Sequence, residues 1–242
     1  MNRSPLQFVS RKAVGETGET RGQVRPLSDW RDVDVFVLLA EPGAGKTDAF
    51  GHEAKATNGL YVTARDFITL GDDRFRDRRP IYIDALDEIR AGSESFSKPL
   101  DDIRQRLDEL GCPPFRLSCR EADWRSAVDR EQLQAVAPRG EIAVLHLAAL
   151  DDADIGAMLR DLAVPDPAGF LAEAERQGIR ALLGNPLLLQ LIVRAVGSDT
   201  AQWPGQPRCD LPECLRTAGV GAERTTPGGS SRADPVHRTA DG

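Results

Sequence analysis

The stretch from Leu38 to Phe50, LLAEPGAGKTDAF, constrains the fold more than any other part of the chain. It continues a run that begins at Val33 and is apolar throughout except for Asp34. A run this apolar reads as a strand buried on both faces, the setting of a parallel sheet covered by helices. The strand enters a turn holding Gly43 and Gly45, and helix-forming sequence follows from Thr47 to Ala56. The two glycines permit backbone angles that turn consecutive N–H groups inward, which makes an anion nest. The helix starting near Lys46 adds its positive end. Lys46 supplies a mobile charge and Thr47 a hydroxyl.

The rest of the chain supports that architecture as far as Leu150. Strand-like segments recur at Leu60–Ala64, Ile81–Leu86, Phe115–Cys119 and Ile142–Leu147. Helical sequence lies between them; Leu100, Ile103, Leu107 and Leu110 form one apolar stripe. The alternation predicts an α/β three-layer fold with a five-stranded parallel sheet and right-handed crossovers. Residues 1–30 are polar and carry Gly15, Gly18, Gly22 and Pro26, so they read as a flexible leader or the end of an upstream element. Residues 31–150 read as the sheet domain. From Asp151 the pattern becomes helical, and residues 151–198 read as a small all-helical subdomain with Asp151 and Asp152 at a helix start. Residues 199–242 hold 6 Gly and 5 Pro but only four Leu or Val, so they read as a disordered tail.

Composition limits the function. Apolar residues at 40% are enough for a core, and aromatics at 5% leave it to Leu, Val, Ile and Ala. The net charge of -7 disfavours a nucleic-acid binder, whose footprint is basic. The longest apolar run near the first strand, Val35–Ala40, is far short of the roughly 20 residues of a membrane span. The expectation is a soluble cytoplasmic protein without a membrane partner. The four cysteines contain no CxxC pair, so a structural zinc site is not expected.

Strand, glycine turn, Lys-Thr and helix occur in the order of a phosphate-binding P-loop. Glu41, Pro42, Gly43, Ala44, Gly45, Lys46 and Thr47 form the loop. Lys46 suits the β- and γ-phosphates, and Thr47 suits Mg²⁺. Ala40 stands where the pattern usually has its first glycine. Some forty residues on, Arg79–Arg90 reads RPIYIDALDEIR, a short strand that ends on Asp84 and is followed by Asp87 and Glu88. Asp84 is the carboxylate expected to hold hydrated Mg²⁺. Asp87 and Glu88 are the candidates for orienting or deprotonating an attacking water, Glu88 being the better of the two.

These segments resemble the NACHT-type NTPases of the STAND class of signal-transduction ATPases. IDALDE is similar to their Walker B segment, and AEPGAGKT to their Walker A. In many AAA+ ATPases a catalytic Glu directly follows the metal Asp; here Ala85 takes that place, which favours NACHT. The resemblance implies that the strand FRLSC lies between the two Walker strands, with Arg120 at its end facing the γ-phosphate. It also implies that Pro186 of GNPLLLQLI packs near the adenine. It covers roughly residues 33–197. Proteins of this class continue into a winged-helix region and long repeat or sensor domains. The Gly/Pro-rich end of this chain therefore suggests a truncated, split or frame-shifted product.

The resemblance implies an ATP-binding, ATP-hydrolysing, Mg²⁺-dependent switch that forms a homo-oligomer or engages a signalling partner. The alternative is a module that binds ATP or ADP without turnover. A small-molecule kinase is the least favoured reading, because no acceptor site or lid arginines are identifiable.

Overall fold

The computed structural model describes residues 9–16, 21–75, 79–93 and 97–196. Seven strands form one sheet: β1 (Lys12–Gly15), β2 (Val24–Pro26), β3 (Val35–Ala40), β4 (Leu60–Thr63), β5 (Ile81–Asp84), β6 (Phe115–Arg120) and β7 (Ala143–Leu147). Their order across the sheet is β2-β1-β7-β3-β6-β5-β4. The five strands from β3 to β7 are mutually parallel, as the alternation with helices requires. β6 lies between β3 and β5, the two strands that carry the glycine loop and Asp84.

The five-stranded sheet expected from sequence is corrected to seven, the two further strands lying in the described residues 9–16 and 21–30. β1 pairs antiparallel with β7, setting Ala13 opposite Leu147, and β2 pairs antiparallel with β1. Ala13 is fully buried, and Leu27 and Trp30 close the same face just after β2. Gly15 ends β1, and Gly22 lies just before β2. Gly22 has φ 73°, a left-handed value that suits glycine, and its amide donates to the Gly15 carbonyl at 3.1 Å. Pairing there also satisfies the polar edge that β7 would otherwise expose.

β3 shows why its sequence is apolar throughout. Val35, Val37 and Leu39 enter one core, while Phe36, Leu38 and Ala40 enter another on the opposite face. Helix α1 (Lys46–Ala56) covers the second face with Ala49, Phe50 and Ala54. The first face is covered by α2 (Ala64–Thr69), α3 (Leu86–Ala91), α4 (Lys98–Glu109) and α5 (Ser126–Gln134). The stripe read from sequence supplies the core face of α4, with Leu100, Ile103 and Leu107 fully buried. Trp124 packs into the same core.

Helices α6 (Asp152–Asp161), α7 (Pro167–Arg176) and α8 (Pro186–Val196) build a third core around Ile155, Leu159, Phe170 and Leu189. Asp151 caps α6 in a reciprocal capping box with Asp154. A 3-10 turn spans Arg180–Gly184, and α8 starts afresh at Pro186. Proline is well suited to a helix start, where its missing N–H costs nothing. No described helix is long and apolar enough to cross a membrane. The expected tail at 199–242 lies outside the described residues.

Candidate nucleotide site

The glycine loop leaves β3 at its C-terminal end and turns back as α1. Gly43 has φ 74°, and Gly45, the N-cap of α1, has φ 89°. Both lie in the left-handed region, where a side chain would be strained. The Ala44 amide donates to the Glu41 carbonyl at 3.2 Å, which tightens the loop. Lys46 folds back, its Nζ donating to the Ala40 carbonyl at 3.1 Å.

β5 brings Asp84 to the same end of the sheet. Asp84 is only 2% exposed, yet both of its oxygens have donors. Ser118 of β6 donates through Oγ to Oδ1, and the Tyr61 hydroxyl of β4 donates to Oδ2 at 2.9 Å. A buried charge requires such partners. Burial, then the Asp84 carboxylate, push the Tyr61 phenol up, so it remains a proton donor. Ser118 Oγ also accepts from the Ala85 amide at 2.9 Å. Ala85 sits at φ 64°, ψ 48°, a left-handed conformation for a residue with a side chain. This bend starts α3 at once and puts Asp87 and Glu88 in its first turn. α3 is anchored from behind by the buried pair of Arg90 Nη1 with Asp129 Oδ2, at 2.9 Å.

Loop and acids meet in a cleft of about 330 Å³. Pro42, Gly43, Ala44, Gly45, Lys46, Thr47, Asp84, Asp87, Glu88, Arg120 and Pro186 all line it. Of the residues expected from sequence, Glu41 does not line it; its part is the backbone carbonyl that receives Ala44. Arg120 is held by Asp87, with Nε 2.7 Å from Oδ2. Glu88 is exposed at the rim. A second groove of about 850 Å³ adjoins the cleft and shares Gly45, Thr47, Asp48, Pro186 and Gln190 with it.

α8 enters the site directly. Asn185 Nδ2 donates to the Pro42 carbonyl at 2.9 Å, while Asn185 Oδ1 accepts from the Leu187 amide at 3.0 Å. The Leu187 amide also approaches the Gly43 carbonyl at 3.3 Å. Sequence reading missed Tyr61, Ser118, Asn185 and Leu187. Ser118 was accessible to it, since alternation along a strand puts residue 118 on the face of residue 120. Tyr61 belongs to no motif, and Asn185 stands in GNPLLLQLI with no role assigned to it from sequence; their contacts are found only through the sheet order and the packing of α8.

Neither a protein-family model nor a curated protein sequence matches the chain. Solved structures do. Domain III of the Thermotoga maritima replication initiation protein DnaA matches with a TM-score of 0.42 and 13% identity, over 68% of this chain and 76% of that one. The Thermotoga maritima RuvB Holliday junction branch migration motor matches with a TM-score of 0.40 and 15% identity, over 70% of this chain and 57% of that one. Likenesses this remote say nothing of what this chain binds.

Proposed function

We propose that the chain is a P-loop NTPase module that binds ATP with Mg²⁺ and hydrolyses it, in the manner of a NACHT/STAND-like switch. The observation that carries this reading is the meeting of the Gly43–Thr47 loop and the buried Asp84 carboxylate in one cleft. A glycine loop in left-handed backbone, a helix N-terminus and Lys46 are a receptor for a polyphosphate. Asp84 and Thr47 are a donor set for Mg²⁺. Among the described residues no group of three or more His, Cys, Asp or Glu side chains could hold a metal. An ion held at Asp84 and Thr47 would take further oxygens from the phosphates, as Mg²⁺ in nucleotide sites does. When bound, it neutralises charge developing on the phosphates. Lys46 holds the phosphates, Asp84 stays fixed between Tyr61 and Ser118, and Glu88 orients water. The adjoining groove beside Pro186 suits the nucleoside end.

On this reading the NTPase core takes in β1 and β2 as well as residues 31–150, and residues 151–198 form its helical subdomain. The tie from Asn185 to the loop supports closure of that subdomain over the nucleotide. Self-association and a signalling partner are what the family resemblance implies. The test pairs binding with turnover in the full chain. Lys46→Ala is expected to lose nucleotide binding. Glu88→Gln is expected to keep binding and lose phosphate release. Binding without any phosphate release by the native chain would instead identify a non-hydrolysing module.

A further inference from the structure

Asp87 and Glu88 are adjacent acids in the first turn of α3, and sequence offers both for the same task. Their surroundings separate them. The Asp87 side chain is 6% exposed, and Oδ2 is taken by Arg120 Nε at 2.7 Å. Its Oδ1 is sealed from solvent and accepts no hydrogen bond from any described residue. A carboxylate with one oxygen sealed from solvent and the other held against a guanidinium is badly placed to receive a proton from water. Glu88 is exposed at the cleft rim.

β6 shows what Asp87 is placed to do. Its alternate residues Ser118 and Arg120 each engage an acid of the neighbouring chain segment, Ser118 with Asp84 and Arg120 with Asp87. Arg120 ends its strand with a side chain that is 45% exposed and lines the phosphate cleft. An unrestrained arginine there would sample many rotamers, and ordering it on binding would cost entropy. An ion pair made through Nε restricts the guanidinium while its terminal nitrogens keep their donor capacity.

We infer that Asp87 is a positioning residue: it holds Arg120 by Nε so that the terminal nitrogens meet the last phosphate of a bound nucleoside triphosphate. This rests on the nucleotide reading above and assigns the two acids different roles within it. It also reverses the sign that electrostatics alone would give. Removing a carboxylate beside a polyphosphate should tighten binding, whereas removing a positioning residue should weaken it for the triphosphate alone.

The test measures Mg·ATP and Mg·ADP affinities by calorimetry for the native full chain and for Arg120→Ala, Asp87→Ala, Asp87→Asn and the double alanine variant. The native chain is expected to prefer ATP by roughly tenfold or more, the size of one charge-assisted contact. Arg120→Ala should abolish that preference with ADP affinity unchanged. Asp87→Ala should lower it several-fold, Asp87→Asn should lower it less, and adding Asp87→Ala to Arg120→Ala should change nothing further. An unaltered or increased ATP preference in Asp87→Ala overturns the inference and leaves the nucleotide site standing. So does an equal loss of ADP affinity, which marks Asp87 as merely structural. A native chain that binds neither nucleotide overturns the site as well.

Discussion

Leu187 fills the space in which a side chain on Gly43 would lie. A Cβ built on Gly43 would stand 2.6 Å from Leu187 Cβ, well inside van der Waals contact. Glycine is thus required twice at this position, by a φ of 74° and by the close approach of α8 to the loop. The helical subdomain and the anion loop are one packed unit at this point.

Gly43→Ala tests that relationship. A side chain in the left-handed region costs roughly 1–2 kcal/mol, and the overlap with Leu187 adds to it. A total of about 2 kcal/mol lowers the melting temperature by roughly 4–8 °C for a domain of this size. Thermal unfolding followed by circular dichroism checks it. An unchanged melting temperature would mean that α8 does not rest on the loop.

Arg116 is expected to matter for stability and not for ligand chemistry. It is 2% exposed, with its guanidinium 5.5 Å from the Phe36 ring centroid and 5.7 Å from that of Tyr82. It donates to the carbonyls of Arg31, Val33 and Asp34, which fixes the chain entering β3. Arg116→Met keeps much of the volume but strips these carbonyls of a donor, at a cost of about 3 kcal/mol or more. Urea unfolding should show a lower midpoint with the same slope, and the protein that remains folded should bind nucleotide normally.

Asp151 carries an acid-dependent contribution. The Lys12 ammonium, then the Asp154 amide, hold its carboxyl down at about 2, against 3.8 for a free side chain. A depressed folded value means that this contribution is complete above about pH 4 and is lost as pH falls toward 2. Asp151 is half-exposed, so the effect is small and weakens with salt. Asp151→Asn retains an N-cap side chain and removes the charge. Unfolding midpoints between pH 5 and pH 2 should fall less steeply in the variant, and parallel curves would show that the Lys12 pair contributes nothing.

The parts of this molecule legible in sequence are those where one local rule decides the outcome. A strand buried on both faces must be apolar throughout, so β3 stands out. A left-handed loop followed by a helix needs glycines in a fixed place, so Gly43 and Gly45 stand out. β1 has no such signature: only Ala13 and Gly15 of its four residues are buried, and its partner β7 is some 130 residues away. Long-range pairing made it a strand, and local glycines masked it. The same holds for Tyr61 and Asn185, whose partners Asp84 and Pro42 are brought to them by sheet order and by α8. The Asp87–Arg120 pair was half visible: both residues were candidates for the site, but nothing in the sequence indicated that one restrains the other.

The central claim is that one cleft receives a polyphosphate through Lys46 and the glycine loop, with Asp84 beside it for the metal. Calorimetric titration of Mg·ATP into the folded full chain and into Lys46→Ala tests it most directly. The native chain should bind saturably at one site. The variant should bind roughly 30- to 150-fold more weakly, as expected from losing a charge-assisted contact of about 2–3 kcal/mol. A folded native chain that gives no heat of binding, or a variant that binds as tightly as the native chain, would contradict the account.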